Sequence, residues 1–216
     1  GMRVALFTPE CSCMQWRNNY ADDGAHRRSM EYLKRAMDVC TRLGASMMLT
    51  NACGGTLDED HDVAFDRAVR HFEQIARYAR EAGVTMALES VRPQESKVCI
   101  TLGDVAALVE AVDSPSLGAA LDTVAMGVAG ETPRQWFDRL GEKIVHCHFS
   151  DGRPYGHLVW GDGVFPLERY LDVLNEFGYE GMLGQEITDG RYLEDPKAAD
   201  RRNFHAFARF FAKEEA

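Results

Sequence analysis

Lys143–Gly152 reads KIVHCHFSDG. A short apolar run stops at a histidine and gives way to a small polar turn. The run has the length of a buried strand and is too short for a helix. The same design recurs along the chain. RVALFT (Arg3–Thr8), SMMLTN (Ser46–Asn51), VTMALE (Val84–Glu89), LGAALD (Leu117–Asp122) and GMLGQE (Gly181–Glu186) are runs of the same kind, which with KIVHCH (Lys143–His148) makes six predicted strands.

Stretches of helical period separate them. HRRSMEYLKRAMDVCTRLG (His26–Gly44) sets Met30, Leu33, Met37 and Cys40 on one face and closes at a glycine, a C-terminal signal. Ala64–Gly83 repeats this pattern. Helices are also predicted from Thr101, Thr132, Pro166 and Asp195 onwards. Thr101, Thr132 and Asp195 are N-cap candidates, with Pro133 and Pro196 in the first turn. Strands this apolar need cover on both faces, which implies a parallel sheet with helices outside. No glycine-rich dinucleotide fingerprint follows the first strand, and no phosphate-binding loop motif occurs. The expected fold is an α/β barrel of six strand–helix units, one domain over residues 1–216.

The net charge of −10 argues against a nucleic-acid partner, which calls for a basic footprint. Six cysteines (Cys11, Cys13, Cys40, Cys53, Cys99 and Cys147) form no C-x-x-C pair and read as reduced thiols. With no signal-peptide pattern and no long apolar run, the expectation is a cytoplasmic protein without a membrane partner.

Four successive predicted strands end in a group that can bind a metal: Glu89, Asp122, His148 and Glu186. In a parallel barrel the C-terminal strand ends meet around one mouth. One ligand per strand then forms a ring. A single polar strand end would mean little; four after apolar runs are hard to explain as surface residues. Side chains alternate along a strand, so His146 and His148 share a face, with His146 one layer deeper as a core or supporting histidine. Three carboxylates and one imidazole make an oxygen-rich site. It suits Mn²⁺, Mg²⁺ or Co²⁺ better than a thiolate-loving ion, with Zn²⁺ also compatible. Such a site would chelate a sugar carbonyl and its neighbouring hydroxyl.

These residues resemble the xylose-isomerase-like barrel superfamily of sugar isomerases and epimerases, and within it the fructoselysine 3-epimerase and D-tagatose 3-epimerase branch. FTPE (Phe7–Glu10), LESVRPQES (Leu88–Ser96), LDTVAMG (Leu121–Gly127), VHCHFSDG and HLVWGDGVFPLERYLDVLNEFGYEG carry the likeness, in this order, over nearly the whole chain. The resemblance implies a metal held by Glu89, Asp122, His148 and Glu186, with Glu89 and Glu186 as the acid/base pair. It also implies a substrate contact at Glu95. His157, Arg153, Glu10 and Trp160 are further candidates for the substrate pocket. Ala125 stands where the ketose 3-epimerases carry a histidine, and Pro154 where they carry an arginine, with Arg153 one position off. A family barrel has eight units; the first two are expected to be absent here. The open edges then predict a homo-oligomer.

The expected reaction is proton transfer beside a carbonyl through a cis-enediolate, giving 3-epimerisation of a ketose or ketoamine. The alternatives are an enzyme like hydroxypyruvate isomerase or inosose dehydratase, or a catalytically inactive binding protein. An abasic-site endonuclease would want more histidine ligands and a basic rim.

Overall fold

The computed structural model describes residues 1–10, 22–52 and 58–211, so Cys11, Cys13 and Cys53 lie outside the described residues. Its elements alternate as the sequence predicts: α1 (Asp23–Arg42), β1 (Met47–Asn51), α2 (His61–Ala82), β2 (Thr85–Glu89), α3 (Leu102–Val112), β3 (Leu117–Asp122), α4 (Thr123–Val128), α5 (Pro133–Leu140), β4 (Ile144–His148), α6 (Leu167–Glu176), β5 (Leu183–Gly184) and α7 (Pro196–Phe211). The strands lie in chain order, β1-β2-β3-β4-β5. The β1–β2, β2–β3 and β4–β5 pairs are parallel. Chain-order parallel strands with intervening helices are the arrangement of a TIM-type barrel, not of a doubly wound sheet.

The helix signals behave as chemistry requires. Thr101 and Thr132 cap α3 and α5, each in a reciprocal capping box, with Asp104 and Gln135, the third residues of the helices, as partners. Asp195 accepts the Ala198 N–H at the start of α7. Gly83 ends α2 in the left-handed region, at φ 69°, where a side chain would be strained.

Three expectations need correction. The expected first strand, Arg3–Thr8, is only a bridge at Phe7, whose N–H donates to Met47 O and whose carbonyl accepts from Leu49 N–H. Residues 1–4 are exposed, so little apolar burial drives a longer ladder. Among the described residues there are therefore five strands, not six. The GMLGQE strand shrinks to Leu183–Gly184. Glycines weaken it, and the Tyr179 ring occupies the space a Gly181 Cβ would need. Finally, α4 was not expected after Asp122.

The described residues divide into two compact units, Gly1–Ala120 with Glu142–His146 and Leu121–Gly141 with Cys147–Ala216. In the first, Leu49, Ala87 and Ala120 form a core layer with Leu6, Met47 and Val145 against it. Gly118 permits a close approach there: a Cβ would sit 2.6 Å from Val145 Cγ1 and 2.8 Å from the Lys143 carbonyl. Outside the sheet, Leu33, Met37 and Cys40 of α1 and Phe72, Ile75 and Ala79 of α2 are fully buried. Between these helices His26 and His71 meet, Nδ1 to Nδ1, at 3.1 Å.

The second unit is built on aromatic packing. Phe149 and Trp160 pack at a tilt with Tyr170 edge-on to both, and Phe137 packs on Phe177 and Tyr179. No helix among the described residues is long and apolar enough to cross a membrane.

Candidate metal centre

Glu89 closes β2 in the first unit. It is buried, in register with Asn51 of β1, whose Nδ2 donates to Glu89 Oε2 at 3.2 Å. The strand carries it past Ala87 of the core layer on the same face.

The second unit holds the other three. Asp122, at the end of β3, divides its carboxylate between two tasks. Oδ1 accepts the Val124 and Ala125 amides at 2.6 and 2.8 Å and caps α4. Oδ2 faces two imidazoles, His157 Nε2 at 3.1 Å and His148 Nδ1 at 3.9 Å. His148 ends β4, and its Nδ1 lies 3.2 Å from Glu186 Oε2. Glu186 follows β5 and also meets His157 Nε2 at 3.2 Å. Asp122, His148 and Glu186 each offer a ligand atom, all within 4.8 Å of one another.

His157 was a candidate for substrate contact; it stands between the Asp122 and Glu186 carboxylates. Burial opposes its protonation. The hydrogen bonds to Asp122 and Glu186 outweigh burial and raise its pKa to about 10. For Glu186 burial likewise favours the neutral form, and the hydrogen bonds from His148 and His157 overcome it. They hold the carboxyl well below the usual carboxylate range. Two carboxylates this close draw positive charge onto neighbouring imidazoles. The same field favours a divalent cation, and two oxygens with one imidazole are a donor set such ions accept. The residues present fit a metal.

The loop carrying His157 is fastened by Asp151. This carboxylate is 1% exposed and accepts four backbone amides. Gly152 and Phe165 donate to Oδ1 at 2.8 and 3.0 Å, Gly161 and Gly163 to Oδ2 at 2.9 and 2.8 Å. Asp151 and Leu158 also exchange backbone hydrogen bonds, which ties the residue after His157 to the strand end. The sequence reading passed over Asp151, because partners that are all backbone leave no side-chain pattern.

The remaining candidates have other surroundings. Trp160 is buried in packing, its Nε1 donating to the Phe149 carbonyl at 3.1 Å. Arg153 Nε donates to the Asp162 carbonyl at 2.6 Å. Glu95 is paired with Arg92, at 2.7 Å from both Nε and Nη2. Glu10 is exposed, and His146 is buried in β4.

Comparison with known proteins agrees with this geometry. The profile of the family "Xylose isomerase-like TIM barrel" matches residues 1–207. Fructoselysine 3-epimerase of Escherichia coli O157:H7 is 28% identical over 216 residues, 99% of this chain and 78% of that protein. Inosose isomerase of Bacillus licheniformis is 25% identical over 187 residues, 82% of this chain and 66% of that protein. Among solved structures, 3-keto-D-glucoside 4-epimerase from E. coli superposes with a TM-score of 0.80 at 16% identity, over 96% of this chain and 79% of that one; this likeness shows the fold alone. With a family profile that spans residues 1–207 and a fold that accords with it, the chain belongs to the xylose isomerase-like TIM barrel family.

Proposed function

We propose that this protein is a divalent-metal-dependent sugar epimerase, acting on a ketose or ketoamine at the carbon next to its carbonyl. The observation that carries the proposal is the meeting of Asp122, His148 and Glu186 around one point. Glu89, from the end of β2, would supply the fourth ligand atom. The bound ion, Mn²⁺ by preference, would act as a Lewis acid toward the carbonyl oxygen and adjacent hydroxyl.

Glu89 and Glu186 are the acid/base pair. One takes the carbon-bound proton and the other returns one to the opposite face, which inverts the centre. The enediolate between the two steps is the charge the site must stabilise. The hydrogen bonds from His148 and His157 keep Glu186 ionised in the metal-free protein. His157 orients Asp122 and Glu186 through its shared Nε2. Glu95, Arg153, Glu10 and Trp160 remain proposed neighbours of the sugar. The similarity to inosose isomerase supports a second substrate class, a cyclic polyol ketone. A homo-oligomer is the proposed assembly.

The test is solvent deuterium incorporation into a panel of ketoses, ketoamines and cyclic polyol ketones. Exchange should occur with Mn²⁺, stop on chelation and return on adding the metal back. In Glu186→Gln it should fall by about 10²–10⁴-fold, the usual worth of a positioned acid or base. A full panel with no exchange removes the epimerase reading.

A further inference from the structure

The β4–β5 ladder is short. Its last backbone bond runs from Phe149 N–H to the Gly184 carbonyl at 2.8 Å, and β5 ends at Gly184. Glu186 lies beyond it, where, among the described residues, no sheet hydrogen bonds hold the backbone of the proposed proton-transfer residue. Ser150 stands in that place. Its Oγ accepts the Glu186 N–H at 3.2 Å and donates to the Glu186 carbonyl at 3.1 Å. One hydroxyl thus straddles a whole backbone unit, as a neighbouring strand would.

Ser150 is held in the same manner. Thr123 Oγ1, in the first turn of α4, accepts the Ser150 N–H at 3.0 Å and donates to the Ser150 carbonyl at 2.6 Å. Thr123 and Ser150 are both buried, so water does not compete for these bonds. Each hydroxyl has one proton to give and lone pairs to accept with, and both functions are engaged at both positions. Thr123 directly follows Asp122, whose Oδ1 caps the same helix. The pair of hydroxyls links the backbone beside one proposed ligand to the backbone of another.

We propose that Ser150 is a positioning residue for Glu186, with Thr123 as its support, and that this relay sets where the Glu186 carboxylate stands. The inference rests on the function proposed above, with Glu186 as ligand and base. A displacement of about 1 Å at a reacting group is enough to lower a rate substantially. The relay therefore governs turnover more than substrate affinity.

The test uses the full chain with Mn²⁺ and compares Ser150→Ala, Ser150→Thr and Thr123→Val in the deuterium-exchange assay. Ser150→Ala should lower kcat by about 10–100-fold with KM within about threefold, and weaken Mn²⁺ binding measured by electron paramagnetic resonance. Ser150→Thr, which keeps the hydroxyl, should recover most of the rate. Folded Ser150→Ala with kcat and Mn²⁺ affinity like wild type overturns the assignment. If Ser150→Ala fails to fold, Thr123→Val decides: a lowered kcat supports the relay and an unchanged one overturns it. Wild type without exchange on any substrate sinks the proposed function itself. Mn²⁺ affinity then judges the relay, weaker binding by Ser150→Ala supporting it and equal binding overturning it.

Discussion

The two compact units each bury a close histidine contact, and the contacts behave oppositely. In the first unit His26 Nε2 meets Gln74 Oε1 at 3.2 Å. An amide oxygen only accepts, so that nitrogen carries the proton. His26 Nδ1 then accepts from His71 Nδ1 in the neutral pair. Burial, reinforced by His26, pushes the His71 pKa down to about 3. In the second unit His157 is partly buried, and burial again opposes the charge, yet hydrogen bonds to Asp122 and Glu186 raise it to about 10. Burial has the same sign in both; the neighbours decide the outcome. An imidazole facing another imidazole stays neutral and serves packing. One facing carboxylates becomes a cation and marks a place where positive charge is wanted.

The sharpest way to break this contrast is metal binding. His148→Gln should weaken Mn²⁺ affinity by more than about 100-fold, beyond the 10–100-fold typical of residues that merely orient a ligand. His71→Gln should leave it within about threefold. Isothermal titration of both variants checks the pair, and equal losses would erase the distinction.

The next effect is on alkaline stability in metal-free protein. A group with a raised folded pKa stabilises fully below its unfolded value, 6.5 here, and loses that contribution as pH climbs towards 10. Chelator-treated protein should lose about 2–3 kcal/mol between pH 6.5 and 8.5 in urea unfolding. His157→Gln should flatten this limb. The smaller effect is on the acid side. With a folded pKa near 3, His71 is stable as the neutral form above 6.5 and costs stability as pH falls below it. The expected loss by pH 5 is about 1–2 kcal/mol, absent in His71→Gln. A variant in one unit that altered the other unit's limb would contradict the division.

Much of this was legible in the sequence. Three of the four proposed ligands end strands, since Glu89, Asp122 and His148 close β2, β3 and β4. The reason is that strand-end carboxylates and imidazoles stand out against apolar runs. Glu186 was found by the same rule although its strand stops two residues earlier. What replaces the ladder there is Ser150, and a lone serine carries no signal in a sequence. Arg3–Thr8 looked like a strand because apolar runs read alike whether or not they find a partner. The α4 stretch TVAMGV mixes β-branched residues with glycine, poor helix formers, and is held by the cap from Asp122. Trp160 stood out as an aromatic in a loop, but the hydrogen bond from its indole N–H to the Phe149 carbonyl leaves no mark in a sequence.

Asp122 gives the molecule one more property. With Oδ1 engaged by two amides of α4, its carboxylate plane is fixed before any ligand arrives. Only the other oxygen is left to face the imidazoles. The residue can therefore lend a metal a single oxygen without releasing the helix. A longer glutamate at this position could not satisfy both directions from the same backbone. Helix capping and the proposed ion capture thus fall to one side chain, and a substitution at position 122 would touch both at once.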